Sequence, residues 1–324
     1  MTSWRVKGVG DFSPIPSVHF DTSTWLSNAS LSTVDSPFIS FSYWFKVQTQ
    51  PFLVWVVDPN DPRDPGPDQT NYSYLNRDYL TYIGFDAFVL SLSANVPCNG
   101  GGILTLPAFN PLYGDNLTIQ TFTNYSYGDW HHILVSVQTN LPVHAKKYKM
   151  YLDDVDITAP EWLKQNLGGG TGIWSTGADS VFYTCFDHDS EQDINYFTNP
   201  ASSGFVPSIA GLPFFLGNDS EGGDYVGDLA EFWFFVGHSL LDDNGDIPEE
   251  TRRKFITDDG KPVPLGPNGE LPTVTDDNPD GTPPTIFGHG SQNTFLQPNL
   301  GTGGDFTLTG NLSAGSKLTR AGEE

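Results

Sequence analysis

Cysteine is nearly absent: Cys98 and Cys185 are the only two in 324 residues. That excludes a disulfide scaffold and a cysteine-rich zinc site, and allows one bridge at most. Positive charge is also scarce, with 15 Lys and Arg against 39 Asp and Glu and a formal net charge of −24. The phosphate backbone of a nucleic acid would be repelled rather than neutralised, so neither DNA nor RNA is expected as a partner. No stretch approaches the roughly 18 consecutive apolar residues of a membrane-spanning helix. The N-terminal MTSWRVKGVGDFSPIPS has no apolar signal-peptide core. The expectation is a chain made in a cytoplasm, with no membrane insertion, that reaches any outside location without a cleaved signal.

Helical periodicity is scarce too. Its best instance is DIPEETRRKFIT at 246–257, where Pro248 and two glutamates precede three basic residues, the order a helix dipole prefers. Aromatic residues are plentiful instead, with 23 Phe, 13 Tyr and 8 Trp, and these favour pleated surfaces. Strand-like runs bounded by Gly, Pro, Asn or Asp recur: SVHFD (17–21), FISFSYWFKV (38–47), FLVWVVD (52–58), DAFVLSLSA (86–94), NLTIQTF (116–122), HHILVSVQT (131–139), KYKMYLDDVDI (147–157), SVFYTCF (180–186), LPFFLG (212–217) and DLAEFWFFVG (228–237). In 38–47 the set Ile39, Phe41, Tyr43, Phe45 and Val47 makes the better core face. With no alternation of strands and helices and no repeat of 20–50 residues, the expected fold is all-β, two packed antiparallel sheets. After about residue 237 the texture turns rich in Gly, Pro and Asp, too poor in apolar residues for a core of its own. Its last strands are expected to pack on the sandwich or on a neighbouring subunit.

The adjacent His131 and His132 in YGDWHHILVSVQT raise the question of a metal centre. In a strand their side chains diverge, His132 with Trp130, Leu134 and Ser136, His131 with Ile133, Val135 and Val137. The pair therefore reads as the entry to a core strand. There is no Gly-x-Ser-x-Gly elbow, neither cysteine has a catalytic setting, and GGGTG at 168–172 lacks the Lys of a phosphate-binding loop.

Calcium wants several carboxylate and carbonyl oxygens. Three loops supply them: Asp187, Asp189, Glu191 and Asp193; Asn218, Asp219, Glu221 and Asp224; and Asp242, Asp243, Asn244 and Asp246. The last lacks the twelfth-position glutamate of an EF-hand. Sugar binding needs aromatic faces with neighbouring hydrogen-bonding groups. The segment NYSYLNRDYLTY offers Asn71, Tyr72, Tyr74, Asn76 and Tyr79, and GGGTGIWST adds Trp174. A tyrosine-rich strand packed under the preceding proline-rich loop would look the same.

The pieces VHFDTSTWLSN (18–28), FISFSYWFK (38–46), GDWHHILVSVQT (128–139), KMYLDDVDI (149–157) and FFLGNDSEGGDYVGDLAEFWFF (214–235), in this order, resemble the laminin G-like branch of the concanavalin A-like lectin/glucanase superfamily. The resemblance implies a jelly-roll β-sandwich over residues 16–240, after an N-terminal arm at 1–15 and before a C-terminal extension at 241–324. It implies calcium at the sandwich rim, with Asp187, Asp189, Glu191, Asp193, Asp219 and Asp224 as ligands. In YLDDVDI, Asp153-Asp154 stands where the family carries an Asp-Gly turn. The glucanase branch needs a second carboxylate that EQDINY, with Glu191 and Asp193, does not provide, so no enzyme is expected. ETRRKFITDDGKPVPLGPNGELPT and GTGGDFTLTGNLS are similar to the C-terminal extensions of laminin G-like proteins of tailed bacteriophages. That implies a virion protein, either head decoration or fibre or tail-associated, with other virion subunits and copies of itself as partners and host polysaccharide as a ligand.

Overall fold

The computed structural model describes residues 14–21, 23–47, 54–55, 72–73, 79–83, 88–93, 101–110, 115–124, 128–138, 147–156, 209–211, 213–217 and 225–319. Runs of β-branched and aromatic residues between turn-forming residues make the strands. In chain order these are β1 (Val18–Phe20), β2 (Trp25–Asn28), β3 (Phe38–Val47), β4 (Val54–Trp55), β5 (Tyr72–Ser73), β6 (Tyr79–Ile83), β7 (Phe88–Ser93), β8 (Gly101–Asn110), β9 (Asp115–Asn124), β10 (His131–Gln138), β11 (Lys147–Leu152), β12 (Val155–Asp156), β13 (Phe214–Leu216), β14 (Gly227–Val236), β15 (Ile286–Gly288), β16 (Thr307–Thr309) and β17 (Ser313–Ala314). All pairings among them are antiparallel. One sheet runs β12-β11-β10-β3-β14-β1-β17, with β15 also on β14; the other runs β16-β2-β13-β6-β7-β8-β9; β4 and β5 pair apart. The chain is thus the all-β antiparallel sandwich that its alternation predicts.

Ile39, Phe41, Tyr43 and Phe45 of β3 are buried between the sheets with Phe232 and Phe234 of β14 and with Leu26, Phe214 and Leu216 of the second sheet. The opposite face of the first sheet is covered as well. Leu134, Tyr151 and Trp233 pack against Leu240, Ile247, Phe255, Leu265 and Phe287, while Trp44 and Ala230 pack against Ile15, Ile256 and Leu318. The C-terminal segment therefore builds a second apolar layer on this sheet, which is why β10 and β14 are buried almost without a break. Each fully buried large side chain contributes about 1.5–3 kcal/mol. Two opposed serines let the segment lie flat at its start: Ser40 Oγ donates to the His238 carbonyl at 2.8 Å, and Ser136 Oγ accepts the Leu240 N–H at 3.0 Å.

The last strands pair within the chain, β15 on β14, β16 on β2 and β17 on β1. β1 and β15 lie end to end along β14, opposite residues 227–229 and 232–234. The register slips between Ala230 and Trp233, where Glu231 has φ 50°. The helix expected over 246–257 is one turn, α1 (Glu249–Arg252), with Pro248 as its N-cap. So short a helix gains little by propagating, and its basic residues are held by other partners. Lys254 Nζ donates to the Pro272 and Val274 carbonyls at 3.0 Å, and Arg252 and Arg253 reach β11's turn.

Candidate functional site

Of the expected sugar-binding residues, Tyr72 lies in β5 and Tyr79 opens β6; Asn71, Tyr74, Asn76 and Trp174 lie outside the described residues. Strand register brings Tyr79 together with residues the sequence did not single out. Tyr79 is opposite Ser91, Ser91 opposite Thr105, and Thr105 opposite Gln120, a row across β6, β7, β8 and β9. A second row runs Thr307, Ser27, Phe215, Tyr82, Val89 across five strands. Ser91 is two residues from Val89 on β7, so both rows belong to one face of the second sheet; a register shift in β6 between Tyr79 and Thr81 pairs Tyr79 with Ser91 although it is two residues from Thr81.

That face is the outer one. Phe214 and Leu216 are buried in the inter-sheet core and are opposite Ile83 and Thr81, on the other pleat. Among its described side chains, Thr307 is exposed, and Trp25, Ser27, Phe215 and Thr309 are half-buried. Alternation in FVLSLS carried the signal for this face, with Ser91 and Ser93 on one pleat and Phe88, Leu90 and Leu92 on the other; in LTIQTFT it is weaker, since Phe122 shares the pleat of Thr118 and Gln120. Hydroxyls, amides and aromatic faces on a rigid sheet are the groups that hold sugars by hydrogen bonds and stacking.

The acidic candidates divide. Asp187, Asp189, Glu191, Asp193, Asp219 and Asp224 lie outside the described residues, as do Cys98 and Cys185. The loop at 242–246 is described and does not fit a cation. Asp242 Oδ1 accepts the N–H groups of Asn244 and Asp246, both at 2.9 Å, and those backbone bonds, the Asp246 one foremost, hold its carboxyl below the usual range. Asp246 Oδ1 accepts the Tyr151 hydroxyl and the Ile247 N–H at 2.8 Å. Among the described residues no group of three or more His, Cys, Asp or Glu could hold a metal ion.

Two buried carboxylates on β14, Asp228 and Glu231, stand three residues apart at 0% and 3% exposure. Each is fastened to another element. Asp228 accepts His19 Nδ1–H at 2.7 Å, the Ser316 N–H at 2.8 Å and the Ser316 hydroxyl. Glu231 accepts His289 Nδ1–H at 2.5 Å. Their partners come from β1 and the C-terminal segment, so these acids tie the segment to the sandwich.

The histidine pair is likewise architectural. His131 Nδ1–H donates to Asp153 Oδ2 at 2.6 Å, and the His132 N–H donates to Asp153 Oδ1 at 2.7 Å. His132 turns to the other side, against Trp44 at 4.9 Å between ring centroids, with Nε2 2.8 Å from Ser42 Oγ. Burial pushes its pKa down to about 4, against the opposing fields of Asp153 and Asp154.

No protein-family model and no curated protein matches the chain. Among solved structures it is similar to a native heptameric SAP-like pentraxin from Limulus polyphemus, at 10% identity and TM-score 0.42, over 93% of this chain and 95% of that one. It is also similar to a candidate carbohydrate binding protein from Bacteroides ovatus, at 9% identity and TM-score 0.44, over 95% of this chain and 63% of that one.

Proposed function

We propose that this chain is a non-enzymatic, carbohydrate-binding β-sandwich that sits on a phage particle, in several copies, and attaches it to host surface polysaccharide. The observation that carries the glycan-binding reading is the Tyr79, Ser91, Thr105, Gln120 row on the outer face of the second sheet, while the chain's own C-terminal segment occupies the outer face of the first. The virion location rests on the resemblance of the C-terminal sequence to phage-encoded extensions. Multiple copies would convert weak single contacts into avidity. Calcium at the 187–193 and 219–224 loops, as a rim element, belongs to the same proposal.

The test is binding of labelled protein to bacterial cells and to their isolated polysaccharide, with calcium and then with EDTA. Saturable binding that Tyr79→Ala weakens, with no sugar released over long incubation, is the expected result; EDTA sensitivity assigns the acidic loops to metal. Absence of binding even on multivalent beads would leave particle assembly alone as the role. Sugar release abolished by Glu191→Gln would make the protein a glycosidase.

A further inference from the structure

The two sheets differ in charge. The first carries Lys46, Lys147, Lys149, Asp156, Asp228 and Glu231 in its strands. In the second, the strands read TLT, WLSN, FFL, YLTYI, FVLSLS, GGILTLPAFN and DNLTIQTFTN, and Asp115 at the start of β9 is the one charged residue. In a chain of 39 acidic and 15 basic residues, a seven-stranded sheet with a single charge at one end is a marked segregation.

We infer that this face takes an uncharged, extended glycan, lying across the strands rather than along them; the inference rests on the carbohydrate-binding reading and narrows its ligand. Arg or Lys makes the strongest partner for the carboxylate of a uronate or sialate, and these strands have neither. The overall negative charge would repel an anionic polymer as well. Neutral sugar hydroxyls, by contrast, are matched by the hydroxyl and amide groups of Ser91, Thr105 and Gln120 and by the tyrosine at 79. Adjacent strands lie about 4.8 Å apart, so the row from Tyr79 to Gln120 spans three steps, about 14 Å. That length suits several linked rings and leaves a single sugar with only part of the row. With no charged residue in the row from Tyr79 to Gln120, binding should not weaken as salt screens long-range fields.

The experiment is calorimetric titration of the full chain with length series of cello-, manno- and N-acetylglucosamine oligosaccharides, and with alginate and polysialic acid, at low and high salt. One neutral series should bind, with affinity that rises with length and then levels off and does not change with salt. The double variant Thr105→Val, Gln120→Ala, with unchanged circular dichroism, should bind at least tenfold more weakly. Binding of alginate or polysialic acid that weakens in salt and survives the double variant would overturn this inference and leave carbohydrate binding standing. If nothing binds and the variant instead abolishes a concentration-dependent self-association, both readings fall and the face is a contact between copies.

Discussion

Asp153 and Asp154 join β11 to β12 with φ of 50° and 63°, the two left-handed positions of a hairpin turn in which the second residue is usually Gly. The strain of an aspartate there is offset by what its carboxylate holds. Asp154 Oδ1 accepts Arg252 Nε–H and Oδ2 accepts Arg253 Nη1–H, both at 2.7 Å. Burial alone would raise its pKa, yet the guanidiniums of Arg253 and Arg252 keep the carboxyl below the usual range. The departure from an Asp-Gly turn, visible in the sequence, is therefore the point where the sandwich grips α1. Replacing Asp154 with Gly should relax the turn and still cost about 1–2 kcal/mol net, since charge-assisted bonds contribute roughly 1.5–3 kcal/mol. Hydrogen exchange should quicken across 249–262 and stay unchanged in β10. His132 makes a second residue-level prediction. Its folded pKa of about 4 lies below the ordinary 6.5, so the unfolded chain binds the extra proton between these values. The stability it contributes is present above pH 6.5 and is lost as pH falls toward 4, on the order of 3 kcal/mol. Urea midpoints across that range should fall less steeply in His132→Gln.

Among elements, β14 concentrates the most constraint. Its bulge falls where the neighbouring strand changes from β1 to β15, and Glu231 in that bulge binds His289 just beyond β15. His289 is itself 32% exposed, so Glu231→Ala strands no buried charge; it should cost about 1–3 kcal/mol in denaturant titration and expose the amides of β15 first. Strands whose alternation is local, such as β3, β7 and β10, were legible in the sequence. β8 was not: Gly101, Gly102 and Pro107 argue against a strand, and Pro107 sits inside the sheet, opposite Thr118, where proline is rare. The candidate face was legible only at Tyr79, because Ser91, Thr105 and Gln120 come from strands far apart in sequence and meet through register alone. The near-continuous burial of β10 and β14 was hidden for a similar reason, since the layer that covers them is formed by the segment after residue 237, whose sparse apolar residues do not announce a core.

For the whole molecule, the C-terminal segment is structurally part of the sandwich. A chain ending at residue 237 would bare Leu134, Tyr151 and Trp233, all buried, and leave Asp228 and Glu231 without Ser316 and His289. It should be recovered insoluble, or as a loosely packed species that binds ANS and has lost its near-ultraviolet circular dichroism.

Load adds a final consequence to the order of the last strands. β17 is two residues long, β16 three and β15 three, while β14 is ten residues long and flanked on both edges. Tension applied at residue 319 would unzip β17 from β1 and then β16 from β2, a few hydrogen bonds at a time. Only afterwards would it reach β14, which must be sheared from β3 along most of its length. The chain is built like a safety strap, with a weak end that yields first and lengthens under tension while β14 and its long pairing with β3 stay folded.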